Sequence, residues 1–147
     1  MSTYTSICYH IVFSTKARQP TLKGNRTDLF RYIWGVLKNR ESHLYRINGA
    51  EDHVHILTSL HPTVSLADLV KEVKTGSSSW IKEEKVFPMF SYWQEGYAAF
   101  THSKHEIDGL IEYFKGQEEH HRRMTFAEGR RQFLVEAGIE FDERYTV

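Results

Sequence analysis

The sequence predicts an α+β domain in which one antiparallel sheet carries helices on one face. Segments with an apolar residue at every second position, typical of half-buried strands, occur near the start, in the middle and close to residue 100. Segments with apolar residues spaced three and four apart, typical of amphipathic helices, separate them. The order is therefore strand, helix, strand, strand, helix, strand and then further helices, which is the split βαβ arrangement of ferredoxin-like, RRM-like folds.

Four segments are predicted to be strands. The first covers residues 4–14, where alternate positions from residue 7 onward are apolar. Residues 44–48 and 54–60 form two more strands, joined through the turn-prone stretch N-G-A-E-D. Residues 96–101 are the fourth candidate strand.

Helices are predicted where a capping residue precedes a helical apolar pattern. Thr27 caps the first helix, which extends to about Arg40, and Ser65 begins the second with the capping-box-like stretch S-L-A-D. The middle of the second helix contains G-S-S-S, which is poor helix material. A clear capping box, S-K-H-E, opens a third helix over about 103–123, and a helical tail follows over about 125–147.

Length and composition predict a single domain over residues 1–147, without a linker. No apolar run approaches the roughly 18 residues of a membrane span. The start of the chain has no secretory pattern, and the single cysteine, Cys8, favours a reducing cytoplasm. Net charge is zero, which argues against indiscriminate polyanion binding. Residues 16–46, however, hold eight Lys and Arg against two acids, so a local basic surface could meet phosphates.

The stretch E-D-H-V-H-I-L places two histidines one residue apart on a predicted strand. Because side chains alternate along a strand, His53 and His55 share one face while Val54 and Ile56 share the other. The pair is either a set of two nitrogen ligands for a metal or part of a solvated outer face. His10 has the non-core parity of the first strand, so it is either a neighbour of this pair or a simple polar position.

The third helix contains a second pattern, in which Tyr113 and Gln117 lie four residues apart along one edge of the apolar stripe. Three interpretations are open. The two residues form an ordinary helix boundary, or His120 and His121 are further metal ligands, or Tyr113 is a nucleophile and Gln117 completes a metal site with the two strand histidines.

The histidine–hydrophobe–histidine pair and the downstream Y-x-x-x-Q together resemble the single-tyrosine HUH transposases of the IS200/IS605-like family. The resemblance extends to Y-H-I-V-F-S-T-K at residues 9–16, W-Q-E-G-Y-A-A-F at 93–100 and the ending at 138–145. Many members have Pro-Asp before the histidine pair, whereas this chain has Glu51 and Asp52, which changes the turn more than the ligands.

The resemblance implies a transposase that cuts and rejoins single-stranded DNA by transesterification through a 5′-phosphotyrosine. It implies Tyr113 as the nucleophile, with His53, His55 and Gln117 holding Mg²⁺ or Mn²⁺. It also implies recognition of subterminal hairpin ends, and a homodimer in which each tyrosine helix completes the partner's histidine site.

Candidate DNA contacts are Lys16 and Arg18, just after the first strand, and Lys71 and Lys74, three apart on the second helix. Each of these four residues also fits an ordinary solvated surface.

Two rival functions remain open. One is a non-enzymatic single-stranded nucleic-acid module on the same fold, which would need Tyr9 and Phe13 exposed as stacking platforms, although their parity predicts a core position. The other is a replication-initiator-like HUH nickase, a class that is generally larger than this chain.

Overall fold

A computed structural model describes residues 3–103 together with Gly109 and Ile111. Its elements are β1 Cys8–Ser14, a short 3₁₀ turn Lys16–Arg18, α1 Arg26–Asn39, β2 Leu44–Gly49, β3 His53–Ser59, α2 Leu66–Glu84 and β4 Ala98–His102. The four strands form one antiparallel sheet in the order β2-β3-β1-β4, which confirms the predicted ferredoxin-like α+β fold. Gly109 and Ile111 are helical, and the rest of the predicted third helix and tail lies outside the described residues.

The hydrophobic core lies on one face of the sheet, under α1 and α2. The sheet contributes Ile11 and Phe13 from β1, together with Val54 and Ile56 from β3, to a cluster that both helices complete. Phe13 is fully buried and meets Trp93 edge-on, with ring centroids 4.9 Å apart. Phe13 is therefore core, as its parity predicts, and cannot serve as an exposed stacking platform.

The second helix is continuous through G-S-S-S. Small residues in this stretch allow the helix to pack closely against α1. A Cβ on Gly76 would lie 2.5 Å from Tyr32 Oη, and the ring of Tyr32 stacks on Trp80 at a centroid distance of 5.2 Å. Buried Ser77 accepts a hydrogen bond of 2.9 Å from Trp93 Nε1. Close helix packing and a satisfied indole N–H thus offset the low helix propensity of this stretch.

The helix starts agree with the predicted regions, but the first cap is wrong by two residues. Asn25, not Thr27, caps α1, since the Asn25 side chain accepts a hydrogen bond from Asp28 N at 3.3 Å. Ser65 caps α2 in the predicted manner and accepts from Asp68 N at 3.1 Å. Asn and Thr both cap helices well, so the backbone conformation at the start of the helix decides which of the two neighbouring candidates is the cap.

The first strand is shorter than predicted. Its pairing begins at Cys8, which lies opposite both Ser59, the last residue of β3, and His102, the last residue of β4. The preceding residues have no partner strand in the described sheet, and Ile7 is 44% exposed. None of the helices in the described part of the chain combines the length and apolarity that crossing a membrane requires.

Candidate active site

The strand histidines lie on the sheet face opposite the core. Antiparallel partners share a face, and His55 lies opposite Val12 while His53 lies opposite Ser14. This face, which carries His10, His53 and His55, is called the histidine face below. The rings of His53 and His55 are almost perpendicular, with centroids 4.8 Å apart, and only 1% and 5% of these two residues is exposed. The pair is therefore buried and adjacent rather than part of a solvated outer face.

Asp52 orients the first histidine of the pair. Its Oδ1 lies 2.7 Å from His53 Nδ1. The turn that carries Asp52 is held to the end of β1, because Thr15 N donates to the Asp52 carbonyl at 2.9 Å. A histidine that donates its Nδ1 proton to a carboxylate presents the lone pair of Nε2, which is the arrangement common among metal-binding histidines.

His10 contacts the second histidine of the pair. His10 Nε2 lies 3.0 Å from His55 Nδ1, and His10 is 1% exposed. Burial, together with the nearby charge of His102, lowers the pKa of His10 to about 3, so the ring is neutral at physiological pH. His10 is thus a direct neighbour of the pair, one of the two possibilities that its parity left open.

The donor set fits a divalent cation. The Nδ1 atoms of His53 and His55 are each engaged by a neighbouring side chain, so Nε2 is the ring nitrogen with which either residue could bind a cation. Within residues 3–103, Gly109 and Ile111, no group of three His, Cys, Asp or Glu side chains forms a metal-binding cluster. Gln117, the predicted third ligand, Tyr113, the predicted nucleophile, and the alternative ligands His120 and His121 lie outside the described residues.

The third helix lies over the histidine face at the one position where its packing is described. Ile111 packs against buried Cys8 and Leu57, together with Tyr45. Cys8 and Leu57 belong to the histidine face because Leu57 lies opposite His10 and Cys8 is two residues before it. The helix predicted to carry Tyr113 therefore reaches the face that holds the histidines.

A segment over residues 92–97 runs beside the strand end that carries His53. Trp93 forms an isolated antiparallel bridge with Thr15, and Gln94 N donates to the Ser14 carbonyl at 2.8 Å. Ser14 is the partner of His53 in the sheet. This segment and α2 line a cleft of about 400 Å³.

Three of the four predicted DNA contacts lie around this segment. The ammonium of exposed Lys16 lies 4.9 Å from the ring centroid of Tyr92, and Lys71 and Lys74 line the cleft. Lys71 is exposed, whereas Arg18 is half-buried in the 3₁₀ turn.

The ammonium of Lys74 is bound within the protein. Lys74 Nζ donates to the carbonyls of Gln94, at 2.8 Å, and Gly96. Burial lowers the pKa of Lys74, and the carboxylate of Glu95 opposes that shift. Lys74 therefore fastens the cleft segment to α2.

The sequence did not indicate the role of Asp52, and it left the contact of His10 as one of two possibilities. Asp52 was noted only as part of the turn, although its position next to His53 is the signal for its contact with Nδ1. The contact between His10 and His55 spans 45 residues and depends on the pairing register of β1 and β3. Register is not encoded in either strand alone, so only the parity of His10 pointed to it.

Comparison with known proteins gives a family and a fold. The model of the family described as "Transposase IS200 like" matches residues 3–117. A transposase candidate from Deinococcus radiodurans R1 is 22% identical, with a TM-score of 0.62 over 80% of this chain and 95% of its own. A REP-associated tyrosine transposase bound to a REP hairpin is 15% identical, with a TM-score of 0.61 over 82% of this chain and 74% of its own. No curated protein matches the chain.

Proposed function

Because the chain belongs to the IS200-like transposase family, we propose that it cuts and rejoins single-stranded DNA by metal-dependent transesterification. The observation that carries this proposal is the buried His53–His55 pair, whose two Nδ1 atoms are held by Asp52 and His10. This arrangement is typical of a metal site, and the family match extends through residue 117, so it includes Tyr113 and Gln117.

In the proposed site, Nε2 of His53, Nε2 of His55 and the carboxamide oxygen of Gln117 would hold Mg²⁺ or Mn²⁺. When bound, the cation would neutralise charge on a phosphate oxygen of the scissile group and orient it. The three donors are neutral, and three ligands leave positions for phosphate and water. The carboxylate of Asp52 adds a negative charge next to His53 and raises the basicity of that ligand.

Tyr113 is the proposed nucleophile. Its phenol oxygen forms a bond to phosphorus while the bond from phosphorus to the 3′ oxygen breaks, leaving a 5′-phosphotyrosine and a free 3′-hydroxyl. A phenol has a pKa of about 10, so only about one in a thousand is ionised at pH 7 and its proton must leave during attack. The packing of Ile111 supports this role because it brings the helix predicted to carry Tyr113 to the face of the sheet that carries the histidines.

We also propose a homodimer in which each tyrosine helix completes the partner's histidine site. A regular helix turns 100° per residue, so positions two and six residues after Ile111 face about 160° and 120° away from it. Ile111 packs against its own sheet. Tyr113 and Gln117 would then be directed away from that packing and toward a second subunit.

The proposed substrate is single-stranded DNA with hairpin ends. A structural neighbour of this chain was solved bound to a REP hairpin, which supports this substrate class. The cleft between α2 and residues 92–97 has the chemistry to receive a strand, since Lys71 and the exposed ring of Tyr92 line it and Lys16 lies beside that ring.

The test is incubation with Mn²⁺ or Mg²⁺ and oligonucleotides that carry the ends of the source element. We expect a covalent protein–DNA adduct that is absent in Tyr113→Phe and severely reduced in His53→Ala. His43→Ala, which changes an exposed histidine outside the pair, is the matched control and should form the adduct normally. An adduct that persists in Tyr113→Phe would disprove the assigned nucleophile.

A further inference from the structure

We propose that His10 is a positioning residue that fixes the tautomer of His55, so that His55 presents Nε2 to the cation. The inference rests on the proposed function, because it assigns a role toward the metal site described above. It concerns the contact of 3.0 Å between His10 Nε2 and His55 Nδ1.

The two rings are held in place by the sheet. His10 lies on β1 and His55 on β3, the two inner strands. Val12 is the strand partner of His55, and His10 is two residues before Val12 on the same face. The ring centroids are 5.2 Å apart with an interplanar angle of 31°. Because inner strands are paired along both edges, the sheet fixes the backbone positions from which the two rings meet.

Only one proton arrangement in this contact permits metal binding. A neutral imidazole has one N–H donor and one acceptor nitrogen. If His55 Nδ1 carries the proton and donates it to His10 Nε2, the lone pair of His55 Nε2 is available for a cation. If His10 Nε2 donates instead, the remaining proton of His55 is on Nε2, which then cannot ligate.

By accepting a hydrogen bond from Nδ1, His10 Nε2 thus fixes the tautomer of His55, as the carboxylate of Asp52 fixes the tautomer of His53. The Asp52 contact is a charged one of 2.7 Å, whereas the His10 contact is made by a neutral ring. Two ligands, each fixed by its own acceptor, present the same nitrogen to one cation. A neutral acceptor at His55 orients that ligand without adding negative charge.

The test compares two substitutions of His10 by nuclear magnetic resonance of ¹⁵N-labelled histidines and by Mn²⁺ titration calorimetry. His10→Gln keeps an acceptor near the position of Nε2, whereas His10→Leu removes it at similar volume. We expect His55 to carry its proton on Nδ1 in the wild type, and His10→Leu to populate both tautomers and lose about 10- to 100-fold in Mn²⁺ affinity. His10→Gln should restore the wild-type tautomer and most of the affinity.

Cys8→Ala is the matched control, because Cys8 lies on the same strand face two residues away and is buried to a similar extent. It should leave the His55 tautomer and Mn²⁺ affinity unchanged. A wild-type His55 protonated on Nε2, or a folded His10→Leu with wild-type affinity, would overturn the inference alone. A wild type that binds no Mn²⁺ would overturn the proposed function and the inference with it.

Discussion

Asp52 Oδ1 lies 2.7 Å from Nδ1 of His53, a histidine that is buried on the sheet. We predict that Asp52→Asn weakens Mn²⁺ binding and DNA cleavage by about tenfold and Asp52→Ala by up to about 100-fold, because partners behind a metal ligand typically contribute this much. Asparagine keeps an acceptor oxygen but loses the charge, which sets the order. Mn²⁺ titration and a cleavage assay measure both effects.

Glu51→Gln is the control for this prediction, since it removes a neighbouring carboxylate whose side chain is exposed. It should behave as wild type in both assays. Equal losses in Glu51→Gln and Asp52→Asn would mean that general electrostatics, rather than the contact with His53, governs the site.

Gly49, at the end of β2, is predicted to be essential for the position of His53. A Cβ there would lie 2.5 Å from the His53 carbonyl oxygen and 3.3 Å from Val54 Cα, and backbone atoms cannot move aside cheaply. We expect Gly49→Ala to lower the free energy of unfolding by about 1–3 kcal/mol, as overpacking does, and to weaken Mn²⁺ binding. Urea unfolding and Mn²⁺ titration measure the two effects.

Gly35, inside α1, is the matched control because a Cβ there would meet nothing within 4 Å. Gly35→Ala should stabilise the protein by up to about 1 kcal/mol through helix propensity alone. If Gly49→Ala were equally stabilising, the close approach of the β2–β3 turn to His53 would be wrong.

The buried thiol of Cys8 predicts a pH dependence of stability. Burial raises the pKa of Cys8 to about 11, so the folded state keeps the thiol protonated where the unfolded chain ionises. The contribution is present below pH 9.0 and is lost as the pH rises toward about 11. Urea unfolding should therefore show a steeper fall in stability over this range for wild type than for Cys8→Ala, and equal slopes would contradict the shift.

The order of elements followed from the sequence because strand and helix patterns have different periods, and both were strong. What the patterns could not contain was information shared between segments. Cys8 begins β1 because both neighbouring strands end opposite it, and Gly76 is tolerated in α2 because Tyr32 of another helix approaches it. Neither fact can be read from one segment by itself.

The candidate site divides along the same line. The common face of His53 and His55 follows from alternation within one strand. The contact of His55 with His10 requires the register between β1 and β3. The clustering of Lys16 and Lys71 near residues 92–97 likewise depends on how a loop crosses two elements. Local chemistry was therefore predictable, whereas the partners that tune it were not.

The lysines near residues 92–97 should differ in how they affect the salt dependence of DNA binding. Lys16 and Lys71 are exposed, so each substitution by alanine should reduce the slope of log affinity against log salt by about 0.7 if that lysine neutralises one phosphate of a single strand. Lys74 Nζ donates to the carbonyls of Gln94 and Gly96. Lys74→Met should therefore leave the slope unchanged and cost about 1 kcal/mol of stability by releasing the cleft segment.

Fluorescence anisotropy with a labelled hairpin oligonucleotide at several salt concentrations measures the slopes. Lys82→Ala, at the far end of α2, is the exposed control. A reduced slope in Lys74→Met would show instead that its ammonium leaves the carbonyls to contact DNA.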